Sequence, residues 1–326
     1  MADSPKTEYD DEIDLLDDEL DDSIRLPHIT PEKILVAIAA LCCVVVIILA
    51  VACIPYYNAP EEDPEALLHS NRVEEEKIEA TEELTEPEET TVPTIPPESN
   101  PYNKRDFQYN RNNYLLCTRQ DSYPGVDVSS FQGEIDWQQV AASGIRFAMV
   151  RLGFRGYGAA GKLVTDDYAV KNLKGAKEAG LLVGAYFFSQ AVSIEETDEE
   201  ITYLLNILGD IQLDMPLVLD WEYVSDTART ANVDARTQTD CQLYFCETMR
   251  GMGFQPMVYF NWHQGSKLLY LHELEDFPFW LALYQDRMTY PYRVEMWQYT
   301  CTGKVPGISG DVDINVYMPD TRGQFG

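Results

Sequence analysis

The segment PLVLDWE at residues 216–222 decides the fold of this chain. It is an apolar run that ends in two carboxylic acids, Asp220 and Glu222. A short apolar run of this kind is typical of a parallel strand that is covered on both faces. Because side chains alternate along a strand, acids two positions apart lie on the same face. We therefore predict a buried strand that presents both carboxylates at its carboxyl end.

Seven further apolar segments of similar length have the character of strands. They are GVDVSSF at 125–131, FAMVRLG at 147–153, LLVGAYFF at 181–188, PMVYFN at 256–261, FWLALY at 279–284, EMWQYT at 295–300 and DINVY at 313–317. Helical patterns occupy residues 167–180, 193–208 and 237–253, and become scarce toward the C-terminal end. Eight strands that alternate with helices over about 200 residues predict an α/β fold, a closed TIM-like (β/α) barrel.

The N-terminal part of the chain has a different composition. Residues 1–33 carry 12 acidic and three basic side chains, and residues 61–99 carry 14 acidic and two basic ones, out of a net charge of −31. Acidic, low-complexity segments bury little apolar surface. We predict a disordered tail at residues 1–33 and an extended stalk rich in Pro, Glu and Thr at residues 56–121. So acidic a chain is unsuited to nucleic acid, because phosphate binding requires clustered Lys and Arg.

Between tail and stalk, the segment Ile34–Ile54 contains neither a charged residue nor a proline. A helix of this length spans roughly 30 Å, the thickness of the hydrocarbon layer. The sequence therefore predicts one transmembrane helix over residues 34–55. Arg25 and Lys33 precede the helix, and the next basic residue is Arg72. The positive-inside rule then predicts a cytoplasmic amino terminus and a barrel domain outside the cell membrane.

Two further acids belong to the first and last predicted barrel strands. Asp127 lies in GVDVSSF and Asp313 in GDVDINVY. The first and last strands of a closed barrel are neighbours, so we expect both acids at the mouth that holds Asp220 and Glu222. Paired carboxyls suit glycoside hydrolysis, in which one protonates the leaving oxygen and the other faces an oxocarbenium-like centre. Spacing alone also allows an acidic turn or two ligands of a divalent cation.

Aromatic and amide side chains supply the other half of a sugar site. Sugar rings present flat C–H faces that stack on aromatic rings, and phenolic hydroxyls add hydrogen bonds. We expect substrate contacts from side chains in or near the predicted strands, namely Tyr186, Tyr259, Tyr284, Trp297 and Gln298. Barrels also bury many aromatic rings, so a core role is the alternative for each of them.

The order of five segments resembles glycoside hydrolase family 25, the lysozymes (N-acetylmuramidases) of bacteria and phages. They are GVDVSSFQGEIDW, GAKEAGLLVGAYFF, LVLDWE, WLALY and MWQYTCTGKVPGISGDVDINVY. The resemblance covers residues 123–318 and implies a modified, flattened (β/α) barrel. It also implies cleavage, with retention, of the β-1,4 bond from N-acetylmuramic acid to N-acetylglucosamine in peptidoglycan. By this resemblance Glu222 is the general acid/base, Asp220 is the second carboxylate, and Asp127 and Asp313 match the acids of the first and last motifs.

The resemblance leaves two roles for Asp220: a covalent nucleophile, or a stabiliser of an oxazolinium formed by the substrate's own acetamido group. Two acids at positions i and i+2 crowd onto one wall, which favours the stabiliser. The chain also departs from the family pattern, which often reads Tyr-His-Phe where this sequence has Tyr186-Phe187-Phe188. We expect this change to affect substrate preference more than the chemistry.

No cofactor and no metal is expected. The segment GYGAAG at 156–161 has dinucleotide-binding spacing, but no helix pattern opens directly after it, so we interpret it as a loop at the barrel mouth. The histidines lack the spacing of zinc ligands. Of the cysteines outside the apolar span, we expect Cys117, Cys241, Cys246 and Cys301 to be free buried thiols.

Together these features predict a membrane-anchored bacterial enzyme that cleaves peptidoglycan glycan strands during remodelling of the cell wall. Two alternatives stay open. One is a glycan-binding module that has kept the barrel and lost activity. The other is a barrel hydrolase that acts on chitin-like polymers of N-acetylglucosamine.

Overall fold

The computed structural model describes Asp63 and residues 97–319. The predicted acidic tail at 1–33 and the predicted membrane span at 34–55 lie outside these residues, as does most of the predicted stalk. Within the described part, no helix combines the length and the apolar character that crossing a bilayer requires.

The described region contains eleven strands and five α-helices. In chain order the strands are Phe107–Tyr109 (β1), Leu115–Cys117 (β2), Tyr123–Val128 (β3), Phe147–Arg155 (β4), Leu163–Thr165 (β5), Leu182–Ser189 (β6), Leu217–Trp221 (β7), Pro256–Asn261 (β8), Phe279–Ala282 (β9), Met296–Gly303 (β10) and Val312–Tyr317 (β11). The helices are Trp137–Ala142 (α1), Ala169–Glu178 (α2), Ile194–Leu208 (α3), Ala235–Gly251 (α4) and Trp262–Lys267 (α5).

Eight of these strands close into a barrel in the order β3-β11-β10-β9-β8-β7-β6-β4, and pairing of β4 with β3 completes the circle. All eight predicted strands are confirmed. The last strand, β11, runs antiparallel to both β10 and β3, whereas the other neighbours around the barrel run parallel. The connection at residues 304–311 is shorter than the dozen or so residues that a parallel crossover requires, so β11 must reverse direction.

The side chains of the barrel strands alternate between two faces. One set fills the inside of the barrel and includes Phe147, Met149, Tyr186, Val218, Met257, Tyr259, Trp280 and Met296. The other set belongs to the main core between the barrel and the helices, and includes Leu217 and Leu219 of β7. Because Val218 points inward, Asp220 lies on the inward face of the same strand.

Helix α3 begins where the sequence predicts, after Ser193, but Ser193 and Glu196 do not form the two reciprocal hydrogen bonds of a capping box. The Ser193 side chain accepts a hydrogen bond from the Glu196 amide at 3.4 Å. The Glu196 carboxylate accepts hydrogen bonds instead from the Val192 amide at 2.9 Å and from both terminal nitrogens of Arg229 at 2.8 and 2.6 Å. The paired guanidinium therefore holds this carboxylate away from the Ser193 amide.

The packed part of the chain also includes residues that the sequence assigned to the stalk. Strands β1 and β2 form an antiparallel hairpin. The ring of Phe107 meets that of Trp297 on β10 at 5.1 Å, and the Leu115 amide donates to the Tyr299 hydroxyl at 3.2 Å. Strands of only three residues show too little alternation to be recognised in sequence. The hairpin therefore covers the outer surface of the barrel beside β10.

The four cysteines of the described region are buried thiols, as predicted. Burial raises the pKa of the Cys241 thiol to about 11 and raises that of Cys246 further. These thiols are protonated near neutral pH and act as small apolar core groups.

The buried ion pair between Glu200 and Arg155 makes the stability of the fold depend on pH. The carboxylate of Glu200 on α3 lies 2.7 Å from the Nε of Arg155. Burial raises the pKa of Glu200 from 4.5 to about 7, although the positive charge of Arg155 acts to lower it. The folded state then binds the Glu200 proton more tightly than the unfolded chain. The stabilisation that this proton gives below pH 4.5 is lost as the pH rises through 7.

We expect the Glu200→Gln variant to show no such loss of stability as the pH rises. Between pH 4.5 and 8, the free energy of unfolding of the wild type relative to the variant should fall by roughly 1–3 kcal/mol. Urea titrations at both pH values measure it. Glu199→Gln is the control, because Glu199 also bonds Arg155 but is 61% exposed. A difference that stays constant with pH would contradict this assignment.

Candidate active site

The closed barrel brings Asp127 and Asp313 together. They are directly opposite each other on the antiparallel pair β3 and β11, as the adjacency of first and last strands predicts. Both side chains are buried, and both lie on the inward face of their strands. This part of the mouth therefore collects two acids from opposite ends of the domain sequence.

Two side-chain amides hold the Asp127 carboxylate through hydrogen bonds. Gln298 Nε2 donates to its two oxygens at 3.1 and 3.0 Å, and Asn315 Nδ2 donates to Oδ2 at 2.6 Å. The amide oxygens are occupied in turn, because Tyr284 donates its hydroxyl to Gln298 and Trp280 donates its indole N–H to Asn315. Each amide must therefore turn its N–H groups toward Asp127, which is fixed as a hydrogen-bond acceptor.

Asp220 and Glu222 stand on the opposite part of the wall, at the end of β7. Asp220 is in register with Phe188 of β6, and Glu222 is the first residue after the strand. Their exposures are only 6% and 1%. Two carboxyls two residues apart thus share one inward-facing wall and are largely withdrawn from solvent.

Glutamine side chains extend the hydrogen bonding of β7 where its sheet pairing stops. The pairing of β7 with β8 ends at Leu219. Gln242 of α4 donates to the Leu219 carbonyl at 3.1 Å, and Gln264 of α5 donates to the Trp221 carbonyl. The side chains of two helices therefore hold the strand end in place after the neighbouring strand has diverged.

A third buried glutamine bonds the backbone of Glu222 itself. Gln190 Nε2 donates to the Glu222 carbonyl at 2.6 Å, while Thr230 donates to the Gln190 side-chain oxygen at 2.9 Å. Arg229 donates to the Gln190 carbonyl at 2.9 Å and so connects it to Glu196. The position of Glu222 is therefore set by a network that reaches α3.

The predicted aromatic contacts divide into two groups. Tyr186 and Tyr259 face the barrel interior, where their rings meet Trp280 edge-on at 6.3 and 5.0 Å. Tyr284 is partly buried and bonds Gln298 in the Asp127 network. Trp297 lies on the outer face of β10, fully buried, and donates its N–H to the Leu283 carbonyl at 2.7 Å. Its ring thus belongs to the core beneath the N-terminal hairpin and not to the mouth.

The departure at Phe187 also falls outside the mouth. Phe187 faces outward from β6, and its ring meets Tyr203 of α3 at 6.2 Å. The Phe187 ring therefore contacts α3 and not the mouth, while its effect on substrate preference stays a prediction. The GYGAAG segment connects β4 to the antiparallel strand β5, so it lacks the helix that a dinucleotide site requires.

Sequence reasoning missed several buried polar residues of the barrel domain. Asn315 lies two positions after Asp313 on the same face, and Arg151 lies two positions after the inward-facing Met149, so strand alternation could have indicated both. Gln190 and Gln264 lie outside regular strands, and no short-range pattern marks them.

The profile of glycosyl hydrolases family 25 matches residues 126–308. The chain is similar to the protein YegX of Escherichia coli K12, with 31% identity over 59% of this chain and 68% of that protein. It is also similar to Lysozyme M1 of Streptomyces globisporus, with 29% identity over 59% of this chain and 67% of that protein.

A solved structure has the same fold. It is the modular autolysin LytC from Streptococcus pneumoniae in complex with a synthetic peptidoglycan ligand, with a TM-score of 0.54 and 22% identity. The match covers 68% of this chain and 52% of LytC, so this chain spans about half the length of that protein. The family profile covers more than half of the chain. It includes Asp127, Asp220 and Glu222, but ends before Asp313. The chain therefore belongs to glycosyl hydrolases family 25, and its barrel is a glycoside hydrolase domain.

Proposed function

We propose that the barrel hydrolyses the β-1,4 bond from N-acetylmuramic acid to N-acetylglucosamine in peptidoglycan, with Glu222 as general acid/base. The observation that carries this proposal is the pair of buried carboxyls at the end of β7. Family membership and the similarity to Lysozyme M1 support the choice of peptidoglycan.

In the first step, Glu222 donates its proton to the glycosidic oxygen as the bond to C1 breaks. The carbonyl oxygen of the substrate's 2-acetamido group bonds C1 and forms an oxazolinium, whose positive charge Asp220 stabilises. In the second step, Glu222 takes a proton from water, the water oxygen bonds C1, and the oxazolinium opens. Two displacements at C1 retain its configuration.

Asp127 binds substrate in this proposal and does not transfer a proton. Asp127 is held by the N–H groups of Gln298 and Asn315, so it offers its remaining acceptor capacity to sugar hydroxyls. Tyr186, Tyr259, Tyr284 and Gln298 are the proposed contacts for the glycan. Trp297 is no longer among them, because Phe107 and the hairpin cover its ring.

We also propose that the apolar segment 34–55 anchors the protein in the cell membrane, with the amino terminus in the cytoplasm and the barrel acting on the cell's own wall. The uncharged stretch and the distribution of basic residues support this placement. Protease treatment of intact protoplasts should remove the barrel and leave the tail protected. A protected barrel would reverse the orientation.

The substrate is tested by incubating the full-length chain, in mild detergent, with purified peptidoglycan and with chitin oligomers. We expect new reducing ends from peptidoglycan and none from chitin. Cleavage of chitin alone would establish the N-acetylglucosamine hydrolase. Cosedimentation with peptidoglycan without any cleavage would establish a binding module.

Gln190 is expected to be a positioning residue for Glu222. Gln190→Leu removes the donor to the Glu222 carbonyl, so we expect kcat to fall by about tenfold with little change in KM. Gln238→Leu is the control, because Gln238 is equally buried on α4 and its side chain makes no hydrogen bond within the described structure. Equal kcat values for the two variants, with only a loss of stability, would show that Gln190 is merely structural.

A further inference from the structure

Arg151 places a buried positive charge on the inward face of β4. Met149, two positions earlier, belongs to the interior cluster, and Tyr186 is in register beside Arg151 on β6. The Arg151 side chain has no solvent exposure. A guanidinium withdrawn from water in this way requires charged or polar partners that match its planar fork.

Part of this requirement is met by the barrel itself. Asp166, also fully buried, accepts from Arg151 Nε at 2.9 Å, and Ser130 Oγ lies 3.2 Å from a terminal nitrogen. Ser130 follows β3 and Asp166 follows β5. The rings of Phe131 and Phe154 lie 5.6 and 5.2 Å from the guanidinium carbon. These groups surround the guanidinium, and Asp166 already balances the charge of Arg151.

The outer side of the guanidinium is taken by a carboxylate from elsewhere in the chain. Asp63 accepts from both terminal nitrogens of Arg151, at 3.0 and 2.6 Å, across 88 residues of sequence. Its side chain keeps 21% exposure, whereas that of Arg151 has none. Asp63 lies in the segment that the sequence assigns to the stalk, outside the barrel. A bidentate carboxylate is the ligand that this fork recognises best.

We propose that Arg151 is a carboxylate-binding subsite of the barrel mouth, and that Asp63 is an intramolecular occupant that the substrate's carboxylate displaces. The inference rests on the proposed function. Peptidoglycan supplies carboxylates through its stem peptides and through the lactyl ethers of those N-acetylmuramic acid units that carry no peptide, whereas polymers of N-acetylglucosamine supply none. The subsite therefore selects muramic-acid-containing glycans, and Asp63 lowers their apparent affinity.

The strength of this competition follows from the tether. A residue of the same chain has an effective concentration in the millimolar range at a site that its linker reaches. Asp63→Asn removes the carboxylate and leaves the barrel unchanged. We expect KM for peptidoglycan to fall about three- to tenfold, with kcat within a factor of two. Glu62→Gln changes the charge equally one position away and is expected to match the wild type.

A binding experiment separates this inference from the proposed function. Calorimetry on the full-length wild type, Asp63→Asn and Glu62→Gln uses N-acetylmuramic acid as probe and N-acetylglucosamine as its partner without a carboxylate. We expect Asp63→Asn alone to bind N-acetylmuramic acid severalfold more tightly, and N-acetylglucosamine affinity to be equal in all three. Adding Arg151→Lys to Asp63→Asn should abolish the gain.

The outcomes are distinct. Equal affinity of the wild type and Asp63→Asn for N-acetylmuramic acid would overturn the subsite even if the protein cleaves peptidoglycan. Tighter binding by Asp63→Asn would establish it even if no cleavage is found. A gain for both sugars would show that Asp63 blocks the barrel mouth without competing for Arg151, and would also overturn the proposal.

Discussion

Replacement of Glu222 by Gln is expected to lower kcat on peptidoglycan by about 10²–10⁴-fold. Gln has nearly the same shape as Glu but has no proton to give to the glycosidic oxygen and cannot accept one from water. The backbone of residue 222 stays bonded to Gln190, so the strand end and the glycan contacts should be preserved. Binding of peptidoglycan by the variant should therefore equal that of the wild type.

The rate of reducing-end release, together with cosedimentation, checks this expectation. Glu295→Gln is the matched control, because Glu295 is also a buried acid but precedes β10, at the end of the barrel away from the mouth. Its carboxylate accepts from the Phe279 amide at 3.0 Å. We expect its kcat to stay within a few-fold of the wild type. Comparable losses in both variants would mean that buried acids matter here for folding only.

The second large effect is expected at Asp220. Asp220→Asn removes the negative charge that faces the oxazolinium, and stabilisation by a group in a buried site of this kind contributes about 10²–10³-fold in rate. We expect kcat to fall by that factor. Asn has nearly the same shape as Asp and fits the same buried position, so stability should change less than activity.

The same residue decides between the two forms of the mechanism. Mass spectrometry of the Glu222→Gln protein after brief incubation with an activated muramyl substrate should show no glycosyl adduct, because the acetamido group of the substrate supplies the nucleophile. A glycosyl group trapped on Asp220 would make this residue the nucleophile, and the stabiliser role would be abandoned.

Much of the fold could be predicted because continuous apolar strands and their terminal acids are local features. The segment around Asp220 shows its burial, its face and its carboxyl end within seven residues. That Asp127 and Asp313 lie opposite each other could be predicted from barrel closure alone, because closure makes the first and last strands neighbours. The direction of β11 could also have been predicted, because the short connection before it excludes a crossover.

Other features depend on faces and contacts that a sequence pattern does not contain. In a strand buried on both faces, hydrophobicity cannot tell which side points inward. The sequence therefore predicts Trp297 at the mouth, although its ring packs on the outer face against Phe107. Gln190 and Asp63 reach their partners across 32 and 88 residues. No local periodicity reports such distances, and only the closed barrel brings these groups together.

The central claim is that Glu222 cleaves the bond at C1 of N-acetylmuramic acid. The most direct test digests peptidoglycan with the full-length wild type and with Glu222→Gln, reduces the products with borohydride and identifies the reduced sugar by mass spectrometry. We expect muramitol from the wild type and none above background from the variant. Glucosaminitol, or equal products from both proteins, would contradict it.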